Sequence, residues 1–340
     1  VNRTRVARRM VIRTAVVLTL TLCALLVTAL VGHDYRYEER RLTIDLPDVS
    51  LDAILTTPER VPARGIVVVI HGDGAVDSTH DGGYNPWFEA AADAGFATLS
   101  WSKPGVGGST GNWLHQSMAD RADEASAVID WALANEIAPT GTIVLWGASQ
   151  AGWVLPEVVA ARTDIDAVVA VSPAINWLRQ GRFHLLAELD HDGAGTSERA
   201  QAIRVSDRVR ELLRSGVDYA TYLDLTLESH PMSADRWQFA LLNYTSDAEA
   251  GLAAMAARDI PVLLMLAEHD RHVDIDETAT TYRRLLEEAL TMEYVDAAHS
   301  MVRRPMDDSP GLAFVTAIMW PRALFSAETL DSYRDFLVAQ

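Results

Sequence analysis

Short apolar runs rich in Val and Ile recur along this chain, each bounded by turn residues and spaced widely enough to admit one helix. They cover 65–71, 96–102, 141–147, 165–171 and 260–266, and a shorter, mixed run at 291–296 closes the series. Runs of that length, apolar without alternation, read as strands buried on both faces. Between and after them, 84–95, 120–135, 150–162, 277–290 and 326–338 carry apolar residues at helical spacing. Upstream, Tyr35 to Leu46 and Val49 to Thr57 alternate as an antiparallel pair would. This alternation predicts an α/β fold with a mostly parallel central sheet and helices on both faces. Functional residues are then expected at the carboxyl ends of the strands.

Two stretches break the rhythm. Between Ser172-Pro173 and Ile260-Pro261 no convincing strand occurs. Instead Glu198 to Arg214 reads as an amphipathic helix (Ile203, Val205, Val209, Leu212, Leu213), and Asp235 to Leu242 and Ala248 to Ala257 as others. The chain therefore divides into 34–173 and 260–340 as one α/β core, with 174–259 as a helical insertion. Trp177, Trp237 and Phe239 within it either line an apolar pocket or form ordinary core, the commoner use of aromatics at helical spacing.

The second stretch, Ala15 to Gly32, holds no charged side chain and follows Arg3, Arg5, Arg8, Arg9 and Arg13. About 18 residues is near the lower limit for crossing a hydrocarbon core. Residues 1–33 thus read as a basic cytoplasmic stretch and a transmembrane anchor, with the rest on the extracytoplasmic side of the plasma membrane. A cleaved signal peptide is the rival, because Val27-Thr28-Ala29 is a passable small-residue site; a secreted protein would result. Arg8-Arg9 also loosely matches a twin-arginine export signal.

Composition narrows the partners. The 340 residues carry a net charge of −18, although the first thirteen include five arginines. Nucleic acid is excluded as a partner, since phosphate binding needs a basic surface. The single cysteine, Cys23, lies in the apolar segment and allows neither an internal disulfide nor a cysteine-based zinc site.

The chemistry sits at the ends of the apolar runs. Val144 to Trp146 lead into Gly147-Ala148-Ser149-Gln150-Ala151-Gly152, and Ile66 to Ile70 stop at His71-Gly72-Asp73-Gly74. Val262 to Leu266 lead to Glu268-His269-Asp270-Arg271-His272-Val273, and later comes Ala297-Ala298-His299-Ser300. Glycine-rich turn, Ser, Asp and His in this order resembles the α/β-hydrolase superfamily, whose nucleophilic serine sits on a sharp strand-to-helix turn. The usual pattern G-x-S-x-G has alanine here at its last position, Ala151, with Gly152 following. The resemblance covers roughly residues 60–300. It implies the α/β-hydrolase fold, with 174–259 as a helical cap.

On that resemblance Ser149 is the nucleophile, His299 the base, and Asp270 the group that orients the imidazole. Asp274, Asp276 and Asp296 compete with Asp270 for the last role, whereas His269 and His272 lie too close to the acid's own turn to reach Ser149. The backbone amides of Asp73 and Gln150 would hold the developing oxyanion, their side chains being incidental. His71 and Asp73, with Asp77, His80 and Asp81, offer a metal-binding alternative, but their spacing matches no known zinc motif. Trp101-Ser102-Lys103-Pro104-Gly105-Val106-Gly107-Gly108-Ser109 resembles a glycine-rich loop of the same superfamily. Lys103, the only lysine in the chain, reads there as a solvated loop residue.

These features imply a serine hydrolase that cleaves carboxylic esters of a small-molecule acyl substrate through an acyl-enzyme, without cofactor or metal. The same triad would serve a serine peptidase or acyl-thioesterase. A catalytically inactive binding module is the alternative of a different class, and a complete Ser-Asp-His set argues against it.

Overall fold

A computed structural model describes residues 2–137 and 141–340 of the chain; the side chains of Arg3, Arg5, Arg8 and Arg9 lie outside the described residues. The chain opens with helix α1 (Asn2–Gly32) and continues through strands β1 (Tyr37–Asp45), β2 (Ser50–Pro58) and β3 (Gly65–Ile70). Then follow α2 (Asn85–Asp93), β4 (Phe96–Trp101), α3 (Met118–Ala134), β5 (Thr142–Ala148), α4 (Leu155–Ala161) and β6 (Ala167–Val171). Five helices come next: α5 (Trp177–His191), α6 (Thr196–Ser215), α7 (Tyr219–Leu225), α8 (Ala234–Asn243) and α9 (Glu249–Ala256). The chain ends with β7 (Val262–Ala267), α10 (Ile275–Leu286), β8 (Leu290–Val295), α11 (Arg304–Asp307), α12 (Pro310–Met319) and α13 (Ala327–Val338).

Among the described residues one 8-stranded sheet runs in the order β1-β2-β4-β3-β5-β6-β7-β8. β1, β2 and β4 pair antiparallel, and the strands from β4 to β8 are parallel. Ile66, Val68 and Ile70 of β3 enter the core on one face of the sheet, Val67 and Val69 the core on the other. That two-sided burial explains why the central strands β3 to β7 are largely apolar rather than alternating, whereas β1 and β8, at the sheet edges, are only partly buried. After β3 the chain adds β4 on one side and β5 on the other, so a crevice opens where the order reverses. Register fixes what meets there. Ile70 lies beside Gly147, which brings the turn after β3 against the turn after β5. Ala267 lies beside Val295, which does the same for the segments bearing Asp270 and His299.

The expected strands and most helices appear within a few residues of the boundaries read from the sequence. One helix differs at its start. Instead of running from 150, residues Ser149–Trp153 form a 3₁₀ turn and α4 begins only at Leu155. Pro156 suits the first turn of a helix but not its interior, so the regular helix restarts there. Sequence periodicity missed α5, α7, α11 and α12 altogether. In the segment between β6 and β7, Trp237 and Phe239 are fully buried and serve as core.

The apolar part of α1, Ile12–Gly32, spans 21 residues and is 6% buried against the rest of the chain. At 1.5 Å per residue this is about 31 Å, long and apolar enough to cross a bilayer core of roughly 30 Å.

Candidate active site

Ser149 stands at the end of β5 with φ of +55°, a left-handed conformation that costs a non-glycine residue energy and marks a forced turn. The neighbours that permit the turn are small for measurable reasons. A Cβ on Gly147 would lie 2.8 Å from the Ala151 methyl, and one on Gly152 would lie 2.7 Å from the Ala174 carbonyl oxygen. Alanine at 151 therefore fits, because the tight backbone approach falls one residue later, at Gly152.

Three side chains converge here from separate strand ends. The Ser149 hydroxyl lies 2.9 Å from His299 Nε2, and His299 Nδ1 lies 2.7 Å from Asp270 Oδ2. The other carboxylate oxygen of Asp270 accepts backbone N–H groups of His272 and Val273, both at 2.8 Å. Burial alone would raise the Asp270 pKa. Its bond to His299, the imidazole's charge and the two amides outweigh that and hold the carboxyl below its usual range. A carboxylate fixed on Nδ1 leaves Nε2 free to take a proton from the serine. The arrangement can thus turn a weak alcohol into a nucleophile at neutral pH.

The competing aspartates are occupied elsewhere. Asp274 caps α10, accepting the amides of Asp276 and Glu277, and Asp296 pairs with His269 at 2.8 Å. Asp276 lies in the first turn of α10. His272 instead packs against His299, with ring centroids 4.8 Å apart and the planes tilted by 33°. Burial, followed by the charges of His299 and His184, lowers the His272 pKa, which disfavours a second positive charge beside His299.

The loop after β3 is held by two buried basic side chains, which the sequence did not disclose. Lys103 is 3% exposed, correcting its reading as a solvated loop residue. Its Nζ donates to the Gly72 carbonyl at 2.5 Å and sits 4.6 Å from the centre of the Trp113 ring. Burial, then Arg121, push the Lys103 pKa well down, while Asp73 and Glu124 pull the other way. Arg121, also buried, donates to the His71 carbonyl at 2.6 Å and to the Gln150 side chain at 2.7 Å. No peptide bond among the described residues is cis. In a trans peptide the carbonyl and N–H point to opposite sides. Fixing the Gly72 carbonyl on Lys103 therefore turns the Asp73 N–H the other way.

The side chains of Asp73 and Gln150 are not incidental. Gln150 donates to Asp73 at 3.1 Å, and Arg236 of α8 grips both oxygens of Asp73 at 3.0 and 2.6 Å. The two segments expected to supply oxyanion donors are thus tied to each other and to the helical insertion. The backbone N–H of Gln150 lies in the first turn of the 3₁₀ segment, where amides lack partners inside the helix. His71 faces elsewhere: its Nε2 donates to the Trp101 carbonyl at 2.6 Å. Burial, then Lys103, push its pKa down to about 3, so the ring is neutral.

Ser149 and His299 open into a cavity of about 820 Å³ whose walls include Trp87, Trp146, Val171 and Phe325. A second cavity, of about 750 Å³, lies within the insertion and is lined by Trp177, Leu185 and Val209 among others.

Strand order, the strained serine turn and the converging strand ends define an α/β-hydrolase. The model of the serine aminopeptidase S33 family matches residues 61–303. The chain belongs to that family. A stretch of 126 residues is 26% identical to an uncharacterized protein of Rickettsia prowazekii, covering 37% of this chain and 52% of that one. The chain thus spans about half the length of that curated relative. Among solved structures, Est1E of Butyrivibrio proteoclasticus with bound ferulic acid superposes with a TM-score of 0.55 at 17% identity. That match covers 88% of this chain and 100% of Est1E. An esterase of Pyrococcus furiosus gives 0.52 at 15% identity, over 85% of this chain and 92% of that one. At such identities the likeness is one of fold.

Proposed function

We propose that this hydrolase cleaves carboxylic esters on the triad Ser149, His299 and Asp270, and that α1 anchors it in a membrane. Ser149 Oγ bonds to the acyl carbon while His299 takes its proton; the amides of Asp73 and Gln150 hold the oxyanion. Collapse breaks the bond to the alcohol, which leaves with the proton from His299. Water then repeats the sequence on the acyl-enzyme and releases the acid. Asp270 stays ionised throughout and stabilises the imidazolium. The helices from α5 to α9 act as a cap, with Arg236 reaching the oxyanion loop.

The observation that carries this reading is the unbroken chain of bonds from Asp270 to Ser149 at an apolar cavity. Peptide cleavage is the second reading, favoured by the family's description as serine aminopeptidases. An aminopeptidase needs a free carboxylate for its substrate's ammonium group; of the two carboxylates that line the cavity, Asp73 is already held by two nitrogens of Arg236 and Asp81 is turned to solvent, while most of the remaining wall is apolar, as an acyl chain requires. The ester reading is therefore preferred. A fluorophosphonate probe should label Ser149 in the wild type, which a binding module would not permit. A panel of esters, thioesters and amino-acid amides then separates the readings, ester turnover being expected to dominate. Preferred turnover of amino-acid amides would overturn the ester assignment. Sedimentation of the full chain with membranes tests the anchor, and recovery as a soluble exported form beginning near Leu30 would favour the cleaved signal.

A further inference from the structure

Helix α12 carries one polar side chain, Thr316, among apolar ones, yet lies on the surface. Ala313 and Ala317 pack against the core, while Leu312, Phe314, Val315 and Ile318 point away from it and are 45% to 67% exposed. Trp320, just beyond the helix, is 40% exposed. An apolar helix with no polar face is stable on a surface only where something apolar covers it.

What covers it is indicated by where it is tied. The end of α12 meets the end of α1 closely enough that a Cβ on Gly32 would overlap the Met319 carbonyl oxygen. His33 Nε2 lies 3.0 Å from the Ile318 carbonyl oxygen. Arg322 donates to the carbonyls of Gly32 and Asp34, both at 2.7 Å, and is itself held by both oxygens of Glu89. The end of α12 is thus fixed against the end of α1, at the level where the membrane-length apolar stretch of α1 stops. The cavity that holds Ser149 and His299 reaches this junction, where His33, Ala317 and Pro321 form part of its wall.

We propose that α12 lies in the same bilayer leaflet as the end of α1, and that the active site receives its substrate there. The occupant of the α12 face is lipid, and the substrate class is an ester whose long acyl chain resides in the membrane. The substrate half of this inference rests on the ester-hydrolase reading above. The membrane half needs only the placement of α12. Entry beside α12 lets the acyl chain pass from lipid to apolar cavity without crossing water, so its transfer costs little hydration free energy.

The test uses the full chain reconstituted in phosphatidylcholine vesicles. Cys23 is the only cysteine, so an environment-sensitive dye on Cys23 reports the anchor. The same dye on Phe314→Cys in a Cys23→Ser background reports α12. Nitroxide-labelled lipids should quench both. Quenching at Cys23 alone overturns the placement of α12 and leaves the anchor standing, whereas quenching at neither overturns both. For the substrate, Phe314→Asp/Val315→Asp should hydrolyse dilute p-nitrophenyl acetate within twofold of wild type. On a long-chain ester embedded in vesicles it should lose at least tenfold. A milder pair, Leu312→Ser/Ile318→Ser, should show the same split with a smaller loss. Equal loss on both esters, or none on the embedded one, overturns the route of entry. A wild type inert toward both esters, with Phe314→Cys still quenched, overturns the ester reading and not the membrane contact.

Discussion

Lys103 is the most exacting place to perturb this site, because it touches neither Ser149 nor His299 directly. Lys103→Met keeps the length and apolar stem of the side chain and removes only the donor to the Gly72 carbonyl. A hydrogen bond of this kind contributes about 0.5–1.5 kcal/mol, and about 1.5–3 where the amine is protonated. Its loss frees the Gly72–Asp73 peptide to tilt, withdrawing the Asp73 N–H from the oxyanion. Complete loss of one such donor costs roughly 2.7–4 kcal/mol, or about 10²–10³ in kcat. The loss should stop short of that limit, since Arg121 still holds the His71 carbonyl and Arg236 still holds Asp73. We therefore expect kcat to fall about ten- to hundredfold, equivalent to roughly 1.4–2.7 kcal/mol, with KM little changed. Folding should suffer little, because the substitution also removes a desolvated amine. Steady-state kinetics, corrected for the fraction of sites that react with fluorophosphonate, give the magnitude. Affinity for a trifluoromethyl ketone, which places an oxyanion in the hole, should fall in step with kcat/KM, while affinity for the acid product should not. A change below threefold in kcat, or equal losses for both ligands, would refute the positioning role.

Ser149→Ala should remove on the order of 10⁴–10⁶ of ester turnover with the fold intact; near wild-type turnover in the folded variant would displace Ser149 as nucleophile. Asp270→Asn should cost on the order of 10⁴ in kcat, whereas the same change at Asp274 or Asp296 should be mild. Asp270 also sets an acid limit on stability. Its folded pKa is depressed, so its contribution is present above the unfolded value of roughly 3.9 and is lost as pH falls through the folded one. The gap in melting temperature between wild type and Asp270→Asn should therefore narrow below about pH 4, and a gap constant with pH would count against the depressed carboxyl. Arg236→Ala should lower kcat/KM only a few fold, since its pair with Asp73 is partly solvated; added salt should move wild type toward the variant. Activity should survive prolonged EDTA. A loss restored by zinc or calcium would make ligands of His71, Asp73, Asp77 and His80.

How far the sequence discloses such a site depends on how local each constraint is. Ser149 is legible because the strained turn imposes its requirements within a few residues: an apolar strand before it, Gly147 behind it and Gly152 after it. The loop after β3, to which we assign the oxyanion donor, is legible for the same reason, as a glycine-rich break after a buried strand. Asp270 is only partly so, because choosing it over Asp274 requires knowing that Asp274 caps α10. Lys103 is illegible, since its burial is decided jointly by the loop after β3, by Trp113 and by Arg121 on α3, segments whose meeting no local pattern encodes. Its rarity in the chain was a signal, but rarity carries no direction.

Helix α12 poses a different difficulty. Within residues 310–319 Thr316 alone is polar, too little to generate a helical period, and so apolar a helix is either buried or faces lipid. At this length burial in a core is the usual outcome, so sequence alone favours the wrong branch. The deciding fact is geometric: two alanines are enough to seat the helix on the core, and the larger side chains are left outside. A core helix would reverse that allocation, because burying Phe314 and Ile318 removes far more apolar area from water than burying Ala313 and Ala317. The inversion of large and small residues on α12, with its tie to the end of α1, makes lipid rather than water the medium that this face is built to meet.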